Sequence, residues 1–327
     1  MLDINHWITE DEQKRRFLAD NPADLLLNNH RNHHGFISQV ISMRDAKALI
    51  EALPWVYNAY HGQGVPLDYF KEELQQWIIA IEKNMQCDSN GKLRDMYSWM
   101  LETHDARCKD IIEGRKEHYL DPEHPFLKAI VRGDHRSAFK YAQEKVKNWK
   151  EFEVFFTEVA RPALYEIGLL WEGGHVSVAA EHLATAVVNR VLSGLLFGID
   201  LPETTKRKVL VTCIASEYHQ IGPWMVATAL EANGWEVDYL GADTPPDTIL
   251  KIIASEDYAA LLVSVTMPYN LGNARKLISM ARDKCPGVKV ILGGQAFGFM
   301  SDPSANFHAD LVAGSYEQAV EKLNEWF

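Results

Sequence analysis

The sequence predicts a chain of two classes, α and α/β: an all-helical N-terminal domain, a helical-bundle cap and a C-terminal doubly wound parallel sheet. Two patterns carry that expectation. From Lys208 onward, the β-branched runs KVLVTCI, WEVDYLG, AALLVSV, VKVILGG and ADLVAG alternate with amphipathic stretches. Repeated βα of this kind implies a parallel sheet of about five strands. Before residue 200, strand-like alternation is absent and apolar residues return every three or four positions.

Within the sheet, the near-continuous apolar runs Leu261 to Val265 and Val288 to Leu292 suit strands covered on both faces. In the bundle, FLKAIVRGDHRSAFKYAQEKVKN, EFEVFFTEVARPALYEIGLLWEGG and SVAAEHLATAVVNRVLSGLLFG each read as helical. They are parted at Asn148 and Trp149 and at Gly173–Gly174, and Gly198 ends the last. The stretch LPETTKRK, with Pro202, links bundle to sheet. In the first 120 residues helices are expected around Phe36 to Leu53, Leu67 to Met85 and Asp95 to Gly114, with a turn over Asp88 to Lys92. Two prolines between Asp121 and Pro125 separate that part from the bundle. The expected domains are therefore 1–120, 121–203 and 204–327.

The 327 residues are 47% apolar and 24% charged, an ordinary soluble composition. No apolar run reaches the roughly 18 to 20 residues of a membrane span, and the N-terminus lacks the basic-then-apolar order of a signal peptide, so a cytoplasmic protein is expected. Cys87, Cys108, Cys213 and Cys285 lie far apart and suggest neither zinc nor disulfides. A net charge of −12, with 19 acidic against 14 basic residues in the first 120, disfavours nucleic-acid binding.

The chemistry sits at strand ends. SEYHQIG follows the first strand and puts Glu217, His219 and Gly222 in a loop where such sheets present ligands. Forty-one residues separate Gly222 from Ser264 of SVT, and twenty-six separate Thr266 from Gly293–Gly294. These elements resemble the cobalamin-binding domain family over about the last 120 residues. The resemblance implies a Rossmann-like domain in which the dimethylbenzimidazole tail leaves cobalt and His219 replaces it as lower axial ligand. A carboxylate two residues earlier suits such a histidine, since it can hold the other ring N–H. The family more often has Asp where this chain has Glu217. Ser264 and Thr266 can hydrogen-bond the tail, and Gly222 belongs to the same motif. Gly293 and Gly294 remove side chains so that the tail can lie against backbone. The plainer alternative is an exposed loop histidine and a turn glycine pair.

In the bundle, Trp171 is followed after nine residues by Glu181–His182. The bundle resembles the helical cap over cobalamin, and this spacing resembles that of the light-sensing repressors of carotenoid genes (the CarH/LitR group). What that implies is Trp171 over the upper axial group, Glu181 on the ribose of adenosylcobalamin, and His182 as upper cobalt ligand after photolysis, with His175 a polar neighbour. On composition alone, the preferred reading is Trp171 as a core aromatic and Glu181–His182 as a capping pair near a helix start.

Those repressors place a basic helix-turn-helix before the bundle, whereas this chain has an acidic helical domain rich in rings and histidines. Its layout looks globin-like and is similar to the photocobilins, which pair cobalamin with a bilin. It is expected to hold a second flat tetrapyrrole, biliverdin in preference to haem, among His33, His34, Tyr60, His61 and His104. The alternative there is an aromatic core with scattered surface histidines, a cofactor-free docking module. The expectation is thus a light sensor, not an enzyme, that signals through an output protein and leaves homo-oligomerisation open. A corrinoid methyl carrier serving methyltransferases is the alternative from another class.

Overall fold

The computed structural model describes residues 5, 23–85, 89–113 and 118–327. Among them, the N-terminal part is helical: α1 (Ala23–Met43), α2 (Ala46–Gly62), α3 (Leu67–Asn84), α4 (Ser89–Glu102) and α5 (His104–Glu113). The helix expected around Phe36 to Leu53 is interrupted. Arg44 turns to φ +55°, and Asp45 restarts the chain as a helix by accepting from the Ala48 N–H at 3.3 Å. Asp95 to Gly114 likewise divides at Thr103, whose hydroxyl donates back to the Trp99 carbonyl at 2.8 Å. The turn expected over Asp88 to Lys92 is also corrected, since α4 already begins at Ser89. Asp88, Cys87 and Gly114 lie outside the described residues.

The bundle comprises α6 (Pro125–Val131), α7 (His135–Lys145), α8 (Trp149–Phe155), α9 (Arg161–Glu172) and α10 (Val178–Leu196). Its first segment is two helices, parted where Gly133 takes φ +70°. Side-chain caps then start the helices that follow: Asp134 accepts from the Ser137 N–H, Asn148 from Glu151, and Ser177 from Ala180. Between α8 and α9 the chain is wound as a π-helix over Phe156–Ala160.

The sheet domain runs β1 (Lys208–Cys213), α11 (Ile221–Glu231), β2 (Glu236–Tyr239), α12 (Pro246–Ser255), β3 (Tyr258–Ser264), α13 (Leu271–Lys284), β4 (Lys289–Gly293), α14 (Pro303–Phe307), β5 (Leu311–Val312) and α15 (Tyr316–Trp326). All pairings are parallel, in the order β2-β1-β3-β4-β5. The expected five-stranded doubly wound sheet is therefore what forms, with β5 reduced to two residues. The order reverses between β1 and β3, the place where such sheets bind ligands. Register makes the point sharper. Cys213 pairs with Ser264 and Ser264 with Gly293, so the three motif-bearing strands end at one level.

The chain groups into two compact units, one holding residues 35–52 with 201–327 and the other the remaining residues up to 200. This differs from the division by sequence pattern in that the elbow between α1 and α2 associates with the sheet. No helix among the described residues is long and apolar enough to cross a membrane.

Within the unit that holds residues 53–200, the end of α2 meets the turn after α9. A Cβ on Gly62 would stand 2.0 Å from the Glu172 carbonyl oxygen, and one on Gly174, at φ +70°, 2.3 Å from that of Gly62. Gly62→Ala is therefore expected to cost about 2 kcal/mol or more of stability. Gly168→Ala, inside α9 where an added Cβ meets nothing within 4 Å, is expected to gain about 0.5–1 kcal/mol. Urea midpoints check the pair: a Gly62→Ala midpoint at or above that of the parent would contradict the close approach.

Candidate functional site

At the strand switch point, the loop after β1 folds back around one carboxylate. Ser216 takes φ 64° and donates its N–H to Asp243 Oδ1 at 2.7 Å, while the Asp243 N–H donates to the Glu217 carbonyl at 2.9 Å. The Glu217 side chain is 0% exposed. Its Oε1 accepts from His219 Nδ1 at 2.6 Å and from the His219 N–H at 3.2 Å. Its Oε2 accepts from the N–H groups of Thr266 and Met267 at 2.9 and 3.0 Å and from Asn270 Nδ2 at 3.3 Å. Burial alone raises a carboxyl's pKa. Here the His219 bond, the Met267 N–H, the His219 charge and the Thr266 N–H outweigh it and bring Glu217 down to about 2.

A carboxylate can only accept, so His219 Nδ1 carries a proton, and in the neutral ring the lone pair lies on Nε2. The ring is 56% exposed. The longer Glu reaches the histidine because it is seated under the exits of both β1 and β3. Asn270 was not singled out by sequence, although it is buried and also donates to the Ser216 carbonyl at 2.9 Å. Its neighbours spell MPYN, which matches no motif, and the Ser216–Asp243 turn is equally silent in sequence.

Thr266 enters the site through its backbone N–H, and Ser264 ends β3 half-buried. The two glycines of the pair differ. Gly294 sits at φ +110°, where a Cβ would be 2.2 Å from the Val265 carbonyl oxygen, so the fold itself requires glycine there. At Gly293 the nearest atom to an added Cβ is 3.6 Å away, and at Gly222 nothing lies within 4 Å. The chain's own packing does not demand glycine at those two positions, which leaves open space beside His219's loop and at the end of β4.

In the other unit, Trp171 lies in the last turn of α9, and its buried Nε1 has no hydrogen-bond partner among the described residues. The Trp171 carbonyl accepts from the Gly174 N–H at 3.0 Å and from Gln63 Nε2 at 3.4 Å. Glu181 and His182 open α10. Glu181 accepts from His182 Nδ1 at 2.5 Å and from the Thr185 hydroxyl at 2.9 Å, and the His182 side chain is 75% exposed. This repeats the carboxylate-held imidazole of His219 on a helix. His175 is exposed in the turn between them, its N–H bonded to the Leu170 carbonyl at 2.8 Å.

The residues named for a second tetrapyrrole are engaged inside the helical module. His33 is hydrogen-bonded to the Tyr97 hydroxyl at 2.7 Å, His61 to the Val65 carbonyl at 3.3 Å and His104 to Tyr57 at 3.0 Å. Tyr60 is edge-on to Phe70, and His34 stacks on Trp77. The aromatic residues also pack on one another, with Tyr57 and Phe70 stacked at 4.2 Å. His30, which sequence passed over, is fully buried, with Nδ1 on Asn5 Oδ1 at 2.8 Å and Nε2 on the Tyr69 hydroxyl at 2.7 Å.

Residues 207–324 match the family model described as the B12 binding domain, and residues 123–195 match a second B12 binding domain model. The chain carries cobalamin-binding modules. Neither match extends into residues 1–122. Dimethylamine corrinoid protein 1 of Methanosarcina mazei is 27% identical over 202 residues, 58% of this chain and 89% of that protein. The HTH-type transcriptional repressor CarH of Myxococcus xanthus is 28% identical over 144 residues, 43% of this chain and 47% of the repressor. Among solved structures, the Methanosarcina barkeri monomethylamine corrinoid protein shares the fold at 20% identity and a TM-score of 0.52, over 62% of this chain and 96% of that one.

The buried Glu73 of α3 gives the helical module a pH signature. It accepts from Trp77 Nε1 at 3.2 Å and lies 3.7 Å from His30 Nε2. Burial raises its pKa from 4.5 to about 7, and burial lowers His30 to about 4 and His33 to about 3. The folded state therefore keeps a proton on Glu73 that the unfolded chain has released, and stability falls as pH rises from about 4.5 to 7, by up to ~3 kcal/mol. The histidines act oppositely, since the unfolded chain binds their protons first and stability falls as pH drops below 6.5. Glu73→Gln keeps an oxygen for Trp77. It is expected to be more stable than the parent at pH 8 and close to it at pH 5 in urea unfolding. Equal stability at pH 8 would contradict the assignment.

Proposed function

We propose that the chain holds cobalamin, that His219 would ligate cobalt through Nε2 in place of the cofactor's own base, and that the ends of β3 and β4 would line the place of the nucleotide tail. The observation that supports this most is the Glu217–His219 contact at 2.6 Å, because it commits one ring nitrogen and leaves the other as a neutral donor. Gly222 and Gly293 offer room where the chain needs none for itself. On the upper side, Trp171 has a buried indole N–H that a ligand group can satisfy. Bound cobalamin would supply a cobalt centre able to carry an alkyl group and to release it in light. The protein's part would be to fix the tautomer of His219, with Trp171, Glu181 and His182 of the bundle as further groups offered to the cofactor.

For the role of that cofactor, the reading best supported is a corrinoid carrier, a non-enzymatic protein that presents the cofactor to a methyltransferase, in line with the relatives named above. One observation of this chain favours a second reading, light sensing with adenosylcobalamin. Trp171, nine residues and Glu181–His182 recur here with His182 exposed and held by Glu181 at 2.5 Å. A carrier has no evident need for a second carboxylate-held imidazole. In both readings the helical module serves as a packed polar and aromatic core, because the histidines named for a bilin are already bonded within it.

His219→Ala is expected to weaken cobalamin retention about tenfold or more and to shift the bound spectrum toward the base-off form. An unchanged spectrum and affinity would sink the ligand assignment. Illumination of the adenosylcobalamin complex separates the two roles. A sensor gives a stable photoproduct whose spectrum changes in His182→Ala, whereas a carrier gives the same photoproduct in parent and variant.

A further inference from the structure

The elbow between α1 and α2 meets the sheet unit at two places, and both belong to segments that frame the candidate tail site. Asp45, 4% exposed, accepts the Ser301 N–H on Oδ2 at 2.8 Å and the Ser301 hydroxyl on Oδ1 at 2.9 Å. Ser301 is tied to the glycine pair by a run of backbone bonds: Met300 N–H to the Phe297 carbonyl at 3.2 Å, Phe297 N–H to Gly294 at 3.3 Å, and Ala296 N–H to Val265 at 3.2 Å. The second place is α13. Arg275 Nη1 donates to the Ser42 hydroxyl at 2.7 Å, and Gly272 makes room for Gln39, whose amide nitrogen would be 2.6 Å from a Cβ there. Helix α13 starts directly after Asn270, the residue that donates to Glu217.

A carboxylate taken out of water is stable only where donors replace its hydration. Asp45 has three, the Ala48 N–H and the two from Ser301, and two of them come from the segment that follows Gly294. The elbow lies outside both B12 binding domain matches. It is an addition that reaches into the part of the sheet unit where the tail would lie.

We propose that Asp45 is a positioning residue for the nucleotide tail of the cofactor, acting through Ser301 on the Gly293–Gly294 turn. This rests on the reading of that turn as part of a cobalamin site. Asp45 touches neither corrin nor tail. It fixes the far end of the turn whose near end is pinned to Val265, so the width available to the tail is set partly by the N-terminal helices. A movement of the elbow then changes the hold on the tail while leaving the His219 contact in place. The ligand class that feels it is a corrinoid with a nucleotide tail, as opposed to a tail-less one.

The test uses the full chain with Asp45→Asn and Ser301→Ala, titrated with hydroxocobalamin and with cobinamide, which lacks the nucleotide. Asp45→Asn leaves one acceptor oxygen for two N–H groups, so its NH2 must face either the Ser301 or the Ala48 N–H, and it is expected to weaken hydroxocobalamin about tenfold while moving cobinamide less than about twofold. Ser301→Ala keeps the backbone donation and is expected to weaken hydroxocobalamin about threefold, again sparing cobinamide. Unchanged hydroxocobalamin affinity in both variants, or equal losses for both corrinoids, would overturn the proposal. Should Asp45→Asn lose its folded circular dichroism spectrum, Ser301→Ala decides by the same criterion. A parent that binds neither corrinoid overturns the site reading and this inference with it, an outcome distinct from a parent that binds and variants that match it.

Discussion

Five donors from three segments converge on the Glu217 carboxylate, and the candidate site depends on that convergence. A buried charge with fewer partners would protonate or draw in water. With all of them in place it binds the loop after β1 to the loop after β3 and to the turn that starts α13. The same bonds decide which nitrogen of His219 is left to face a ligand. The sheet supplies the precondition, because β1, β3 and β4 end in register and bring their loops to one level.

Much of this was legible because the chemistry sits in short runs at strand ends. Alternation of apolar runs located the strands, and the spacing among Glu217-x-His219, Ser264-x-Thr266 and Gly293–Gly294 located the ends that matter. What stayed hidden depends on contacts distant in sequence. Asn270 joins Glu217 across fifty-three positions, and nothing in MPYN marks it. The break at Arg44 and Asp45 was missed because neither is a helix breaker by type; Asp45 becomes a helix start through its bonds to Ala48 and Ser301. Gly294 was read as space for a ligand, yet the backbone of Val265 already excludes any side chain there. Of the histidines named for a tetrapyrrole, His33 and His104 are held by the hydroxyls of Tyr97 and Tyr57, contacts across 64 and 47 positions that sequence does not reveal.

Helix α2 meets a turn at each of its ends. At its start, Asp45 holds the segment that follows the glycine pair of the sheet unit. At its end, Gly62 lies against the Gly174 turn that follows Trp171 in the other unit.

In the proposed function a protein imidazole replaces the cofactor's own base beneath cobalt. Electron paramagnetic resonance of bound cob(II)alamin, in protein grown with 15N-histidine, tests it directly. The superhyperfine triplet from a 14N axial ligand should become a doublet on labelling, because the coordinating nitrogen belongs to the protein. A triplet that persists in the labelled protein would mean that the dimethylbenzimidazole base is still on cobalt, and the assignment of His219 would fail.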